Sequence, residues 1–299
     1  MIFIIPFDIP NDKIAPSIYD QMKNVLVPTD FSENSIRALR YAEMLFSAME
    51  CNFYLLYVGT LLDTKNDAES FQETTGEPSE NTKKKLTDLV KQSRKHSTEA
   101  NHFFFALHEY GFFIPTIRKH IEEQNIDLIV MGTKGVSGLK EKVLGSNAGD
   151  VITKVQCNTL VVPIDVELSR PREIAFPTDF NIFYSLRILR PMEEMIGLGK
   201  SKFRVMNALK EGDSLNEEQE KNKEHLLDFL EDTFPETHSF HTITNQKVKA
   251  AIQCFVESRD IDMMIMVAKN LNFIQQILFD TIVEQISFHT KIPFYVIHE

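Results

Sequence analysis

One short phrase occurs twice in this chain. Val27-Pro28-Thr29-Asp30-Phe31 returns as Phe176-Pro177-Thr178-Asp179-Phe180. Three further passages return in the same order. Ser35-Ile36-Arg37-Ala38-Leu39-Arg40 matches Ser185-Leu186-Arg187-Ile188-Leu189-Arg190, and Ile126-Asp127-Leu128-Ile129-Val130-Met131 matches Ile261-Asp262-Met263-Met264-Ile265-Met266. Thr159-Leu160-Val161-Val162 matches Phe294-Tyr295-Val296-Ile297. A repeat of about half the chain is far longer than the ~20–50 residues of a solenoid unit, so it signals two copies of one domain. A length of 299 residues accommodates them.

Within the first copy, apolar runs alternate with segments of helical period. Strands are expected over 24–28, 52–58, 102–108, 127–131 and 159–163, and helices over 35–49, 81–95, 114–124 and 146–155. The turn Thr29-Asp30-Phe31-Ser32 carries helix-capping chemistry. A polar stretch over 63–79 reads as a loop. Strands alternating with helices imply a parallel sheet covered on both faces, and near-continuous apolar strands fit burial on both sides. The expected division is a first domain over 22–164, a short polar linker over 165–172 and a second domain over 172–299. Residues 1–21, which open on MIFIIPFDIP, form an N-terminal extension; they lack the basic region and small-residue cleavage site of a signal peptide.

A net charge of -11 argues against nucleic-acid partners, because phosphate-backbone affinity needs clustered cations. No apolar run approaches a membrane span. Cys51, Cys157 and Cys254 are far apart, which fits core residues in a reduced cytoplasmic compartment.

After the fourth strand comes Gly132-Thr133-Lys134-Gly135, and after nine intervening residues stands Gly145-Ser146-Asn147. Strand, glycine loop and helix start follow one another. Glycines let backbone approach a ligand without a Cβ in the way. A helix N-terminus offers unpaired N–H groups and a positive dipole end, so phosphate is the matching ligand.

These residues give each half a resemblance to the universal stress protein domain, whose hallmarks are the Pro-Thr-Asp-Phe-Ser start and the Gly-x2-Gly-x9-Gly-Ser loop. The resemblance runs from about Met22 to the end of the chain, as a tandem protein. It implies an α/β fold of two tandem five-stranded parallel-sheet sandwiches, strand order 3-2-1-4-5, of the Rossmann-like, adenine nucleotide hydrolase-like kind. It also implies ATP, or AMP or ADP, bound where the strand order reverses, with Mg²⁺ carried in only on the phosphates. Pro28, Thr29 and Asp30 would then line the base and ribose, and Val58 would lie against the base. Gly132, Gly135, Gly145 and Ser146 would hold the phosphates, with Met131 nearby. Asn147 departs from the family, which more often has an apolar residue there. The family's habit of pairing fifth strands implies an intrachain pseudo-dimer, and leaves a homodimer open.

The second half departs at the loop. Aligned without gaps from Ile261, Val267 and Asn270 replace the first two glycines, Asp280 the third, and Thr281 replaces Ser146. A carboxylate at that helix start repels phosphate while capping the helix well. The second domain is expected to keep the fold and lose the triphosphate site.

Blander readings stand beside several of these. Asp30 could equally cap the helix after it, since Asp179 persists in the half that lost its loop. Lys134 is more simply solvated than bound to phosphate. The spacing His238-Ser239-Phe240-His241 suits no metal site on a strand. Lys83, Lys84, Lys85, Lys91, Arg94 and Lys95 read as a solvated helix face. Phe103-Phe104-Phe105 reads as strand core, and Glu217-Glu218-Gln219-Glu220 as a helix opening suited to the dipole. No Gly-x4-Gly-Lys-Ser/Thr P-loop is present, and no base or nucleophile stands beside the phosphate loop. The Ser-Gly-Gly-x-Asp loop of an adenylating enzyme is replaced by Pro28-Thr29-Asp30-Phe31-Ser32. The expected protein acts in stress response through nucleotide occupancy, with slow hydrolysis at most. The alternative is an interaction protein that needs no ligand.

Overall fold

The computed structural model describes residues 22–59, 80–97, 101–133, 146–210, 212–244, 248–268 and 292–299. The first half runs β1 (Lys23–Pro28), α1 (Glu33–Leu45), β2 (Cys51–Gly59), α2 (Glu80–His96), β3 (His102–Tyr110), α3 (Phe113–Gln124), β4 (Leu128–Gly132), α4 (Ser146–Lys154) and β5 (Thr159–Val162). The second runs β6 (Glu173–Pro177), α5 (Leu186–Gly199), β7 (Lys202–Leu209), α6 (Glu217–Thr233), β8 (His238–Thr244), α7 (Val248–Ser258), β9 (Met263–Val267) and β10 (Phe294–Ile297).

Among these residues ten strands form one sheet, in the order β3-β2-β1-β4-β5-β10-β9-β6-β7-β8. Each half has the order 3-2-1-4-5, and all pairs within a half are parallel. The halves meet where β5 and β10 pair antiparallel, Leu160 opposite Tyr295. The two sandwiches are therefore halves of one continuous sheet.

The sheet divides the core in two. On one face α1, α2, α5 and α6 cover a cluster that runs from Val25 and Leu39 through Val162 to Phe176 and Leu230. On the other, α3, α4 and α7 cover Leu26, Met131, Val151, Ile252 and Val296. The repeated Ile-Asp before β4 and β9 has a local cause. Asp127 and Asp262 each take hydrogen bonds through their carboxylates from the start of the neighbouring strand, at Asn24 N (2.8 Å) and Glu173 N (3.1 Å). Each also donates its own N–H back, to Asn24 O and Glu173 O.

Several local expectations need correction. Only Phe104 of the phenylalanine run is core; Phe103 and Phe105 are 49% and 44% exposed, because β3 is the outer strand of the sheet. Cys51 and Cys157 are buried, and burial pushes both thiols up to about 12, whereas Cys254 is exposed on α7. The basic face of α2 is not wholly solvated. Arg94 donates to Phe104 O at 3.0 Å, and the Lys85 ammonium sits 5.8 Å from the Phe31 ring centre. The acidic opening of α6 behaves as expected: Asn216 and Gln219 form a reciprocal capping box in front of three glutamates.

Candidate functional site

The carboxyl ends of β1 and β4 meet where the strand order reverses, the point at which an open α/β sheet leaves a crevice. Pro28 ends β1, buried, and Thr29 N continues the ladder by donating to Leu56 O at 2.8 Å. The chain then turns sharply. Phe31 has φ 62°, a strained backbone for a bulky residue. Side chains hold it there. Thr29 Oγ1 accepts from Phe31 N at 3.1 Å and shares a 3.0 Å hydrogen bond with Ser35 Oγ. Asp30 Oδ1 accepts from Ser32 N at 3.0 Å and from Ser32 Oγ at 2.5 Å. Ser32, not Asp30, is the N-cap of α1, with its Oγ accepting from Ser35 N at 3.2 Å.

The same turn recurs in the second half. Thr178 N donates to Met206 O, Phe180 N to Thr178 Oγ1 (3.1 Å) and Asn181 N to Asp179 Oδ1 (3.1 Å), with Phe180 at φ 56°. The shared Thr-Asp-Phe phrase thus encodes a turn in both halves.

Around the first turn, Met131 is buried and Gly132, the last residue of β4, is half-buried. Val58 is half-buried near the end of β2 and packs, as Met131 does, on the α3/α4 face. Gly132 has a packing reason of its own. A Cβ there would stand 2.6 Å from Asn34 Cγ and 3.0 Å from Asn34 O, because α1 begins directly against the end of β4. The helix α4 opens at Ser146, and Asn147 in its first turn is exposed. Lys134, Gly135 and Gly145 lie outside the described residues, as do Asn270, Asp280 and Thr281; Val267 is buried at the end of β9. The structure therefore places Pro28, Thr29, Asp30, Val58, Met131 and Gly132 at the carboxyl ends of the neighbouring strands β1, β2 and β4.

Sequence reasoning missed how differently the two turns are surrounded. In the second half, side chains clamp the turn's carbonyls. Asn207 donates to Thr178 O (2.8 Å), Gln219 to Asp179 O (2.8 Å) and Asn222 to Phe180 O (2.9 Å). Beneath them Tyr184, fully buried, shares a 2.7 Å hydrogen bond with Thr178 Oγ1, and burial pushes its phenol pKa up. Phe180 is 2% exposed. In the first half Phe31 is only half-buried and stacks on Tyr57 at 5.1 Å; Tyr57 leans on His108 at 5.3 Å. The available signal was the position after Leu56 and Met206, which the register makes equivalent: tyrosine in one half, asparagine in the other.

Comparison with known proteins agrees with this geometry. The model of the Universal stress protein family matches residues 22–163. Universal stress protein MJ0531 of Methanocaldococcus jannaschii is 30% identical over 148 residues, which is 47% of this chain and 81% of that protein. The chain belongs to the universal stress protein family. Universal stress protein YxiE of Bacillus subtilis is 27% identical over 146 residues, 46% of this chain and 97% of its own. The doubled architecture also has a counterpart. A universal stress protein from Archaeoglobus fulgidus shares the fold across 95% of this chain and 98% of its own, with a TM-score of 0.63 at 15% identity.

In this universal stress protein the carboxyl ends of the first-half strands carry Val58 and Met131 on the α3/α4 face, the Asp30 carboxylate bonded to Ser32, and Gly132 at the end of β4. Among the described residues no three His, Cys, Asp or Glu side chains group as a metal site, and no helix is long and apolar enough to cross a membrane.

Proposed function

We propose that the first half, 22–164, holds one adenine nucleotide, ATP in the first instance, and that the protein acts in a cytoplasmic stress response through whether that site is filled. The observation that carries this reading is the contrast between two otherwise matching turns. At the first, Phe31 and Gly132 are half-buried, and Phe31 stacks on Tyr57. At the second, 172–299, Tyr184 and Phe180 are buried and three side-chain amides clamp the turn's carbonyls.

In this reading Val58 and Pro28 flank the base, and Asp30 meets the ribose hydroxyls while still bonding Ser32. Gly132, Gly135, Gly145, Ser146 and Asn147 surround the phosphates, with Met131 beneath and the α4 N-terminus supplying N–H donors. Mg²⁺ would arrive only on the phosphates. ADP and AMP present the same base and ribose, so they compete with smaller phosphate contributions. In this reading occupancy rather than turnover is the signal. The closed second turn favours a second reading for that half alone: it acts as a structural partner that needs no ligand.

Calorimetric titration of nucleotide-stripped protein with ATP tests the proposal. Saturable binding by the wild type, lost in Gly145→Asp, is the expected result. A wild type that ignores ATP, ADP and AMP would move the whole chain to the ligand-free reading.

A further inference from the structure

We propose that the outer edge of β3 is a docking groove for an extended peptide whose side chains alternate between acidic and apolar. The proposal does not depend on nucleotide binding. A groove of about 450 Å³ runs along this edge, between α2 on one face of the sheet and the end of α3 on the other. Its α2 wall carries Lys91 and Arg94, its α3 wall ends at Gln124, and Phe105, Ala106 and Leu107 form its floor. Among the described lining residues there are two cations and no carboxylate, in a chain of net charge -11.

The backbone of β3 can accept another strand there. Asn101 O accepts from Cys51 N, and Gly111 N donates to Gly59 O, so odd positions turn their peptide groups to β2. By the two-residue period, even positions turn theirs outward. Arg94 meets Phe104 O on that outer side at 3.0 Å; Ala106 and His108 follow along the edge. An exposed edge of this kind is a template for strand addition, which Lys and Arg commonly guard.

Chemistry on the two sides of the edge differs, and this specifies the occupant. Phe104 faces α2 and packs against Leu86 and Val90. Phe103 and Phe105 point to the opposite face and are 49% and 44% exposed; Phe105 stacks on Tyr54 at 5.1 Å. A strand added to β3 would send alternate side chains to Lys91 and Arg94, and the others to Phe103 and Phe105. Carboxylates suit the first set and valine or isoleucine the second. A second copy of this chain suits the groove poorly, because antiparallel pairing of two β3 edges would place α2 beside α2 and oppose Lys91 and Arg94 to themselves. At the far end of the sheet, β8 carries no exposed large apolar side chain among the described residues, so the feature belongs to one edge.

The test is fluorescence anisotropy of the full chain with a labelled ten-residue peptide of alternating Glu and Val. The account expects saturable binding that weakens in raised salt, and no binding by a Lys-Val peptide. Ala106→Pro removes one outward N–H while leaving the ladder to β2, and should weaken binding about tenfold, as loss of one hydrogen bond with local edge disruption would. Lys91→Glu, at an exposed position on α2, should weaken it by a similar factor of about ten. Circular dichroism checks that both variants fold. Equal binding of the Lys-Val peptide, or indifference to both substitutions in folded protein, would overturn the proposal. So would a single-stranded oligonucleotide that outcompetes the peptide, or a dimer of the chain that Ala106→Pro dissolves.

Discussion

At Gly132 one hydrogen atom in place of a methyl group lets α1 begin against the end of β4. Gly132→Ala would press a Cβ on Asn34, 2.6 Å from its Cγ, and should cost about 1–3 kcal/mol, typical of overpacking at a tight contact. A urea midpoint lowered in Gly132→Ala and partly restored in Gly132→Ala/Asn34→Ala is the expected outcome; an unchanged midpoint in the single variant would remove the packing argument. Thr29 is a second such residue. Its hydroxyl holds Phe31 N at positive φ, so Thr29→Val should cost about 1–2 kcal/mol, and Thr178→Val should do the same in the second half. The glycine and the Thr-Asp-Phe phrase were both legible as sequence, but their local causes were not. Gly132 reads as a ligand approach until Asn34, almost a hundred positions earlier, is found beside it. Asp30 reads equally as a helix cap or a ligand residue, and the cap is Ser32.

Elements were read well wherever the pattern is local. Helical period located α1 to α4, and apolar runs located the strands, because both depend on neighbours in the chain. The α1 helix stops at Leu45, short of the expected 49, after which Phe46 turns into the core. The capping box of α6 was half visible as an acidic opening; its cap, Asn216, was not. Asn216→Ala should lower stability by about 1 kcal/mol, read as a shift in thermal midpoint. Edge position was invisible in the local pattern and came only from the resemblance, whose order 3-2-1-4-5 puts the third strand outermost. Whether Phe103 and Phe105 are core or surface depends on which strand lies outermost, and strand order is set by long-range pairing. The clamp on the second turn was hidden for a related reason: Asn207, Gln219 and Asn222 come from two elements and reach back across at least 29 positions.

At the scale of the whole molecule, the two halves share one sheet and both clusters of core residues. Lys23 at the foot of β1 pairs with Glu194 on α5 at 2.5 Å, both largely shielded, so the junction is polar as well as apolar. A single cooperative urea transition is expected, with fluorescence and circular dichroism coincident; two separated transitions would mean the halves are energetically independent. The pH dependence has a definite sign. Burial holds His102, His108, His241 and His298 below the ordinary 6.5, His298 at about 4. Each therefore binds its proton more readily in the unfolded chain, and their contribution is full above pH 6.5 and lost as pH falls toward the folded values. Glu43 and Asp262, raised by burial, act the opposite way, but only in the more acidic range where carboxylates titrate. The urea midpoint should fall between pH 7.5 and 5, and fall less in His298→Gln; a constant or rising midpoint would contradict these assignments.

The proposed arrangement is one open site and one closed site in a doubled fold. It is tested most directly by denaturing the purified protein and measuring the released nucleotide by mass spectrometry, per chain, beside Gly145→Asp. The account expects ATP or ADP near one per chain from the wild type and none from the variant. Near two per chain would show that the clamped second turn still admits a nucleotide, and an empty wild type that also fails to bind added ATP would contradict the open first site.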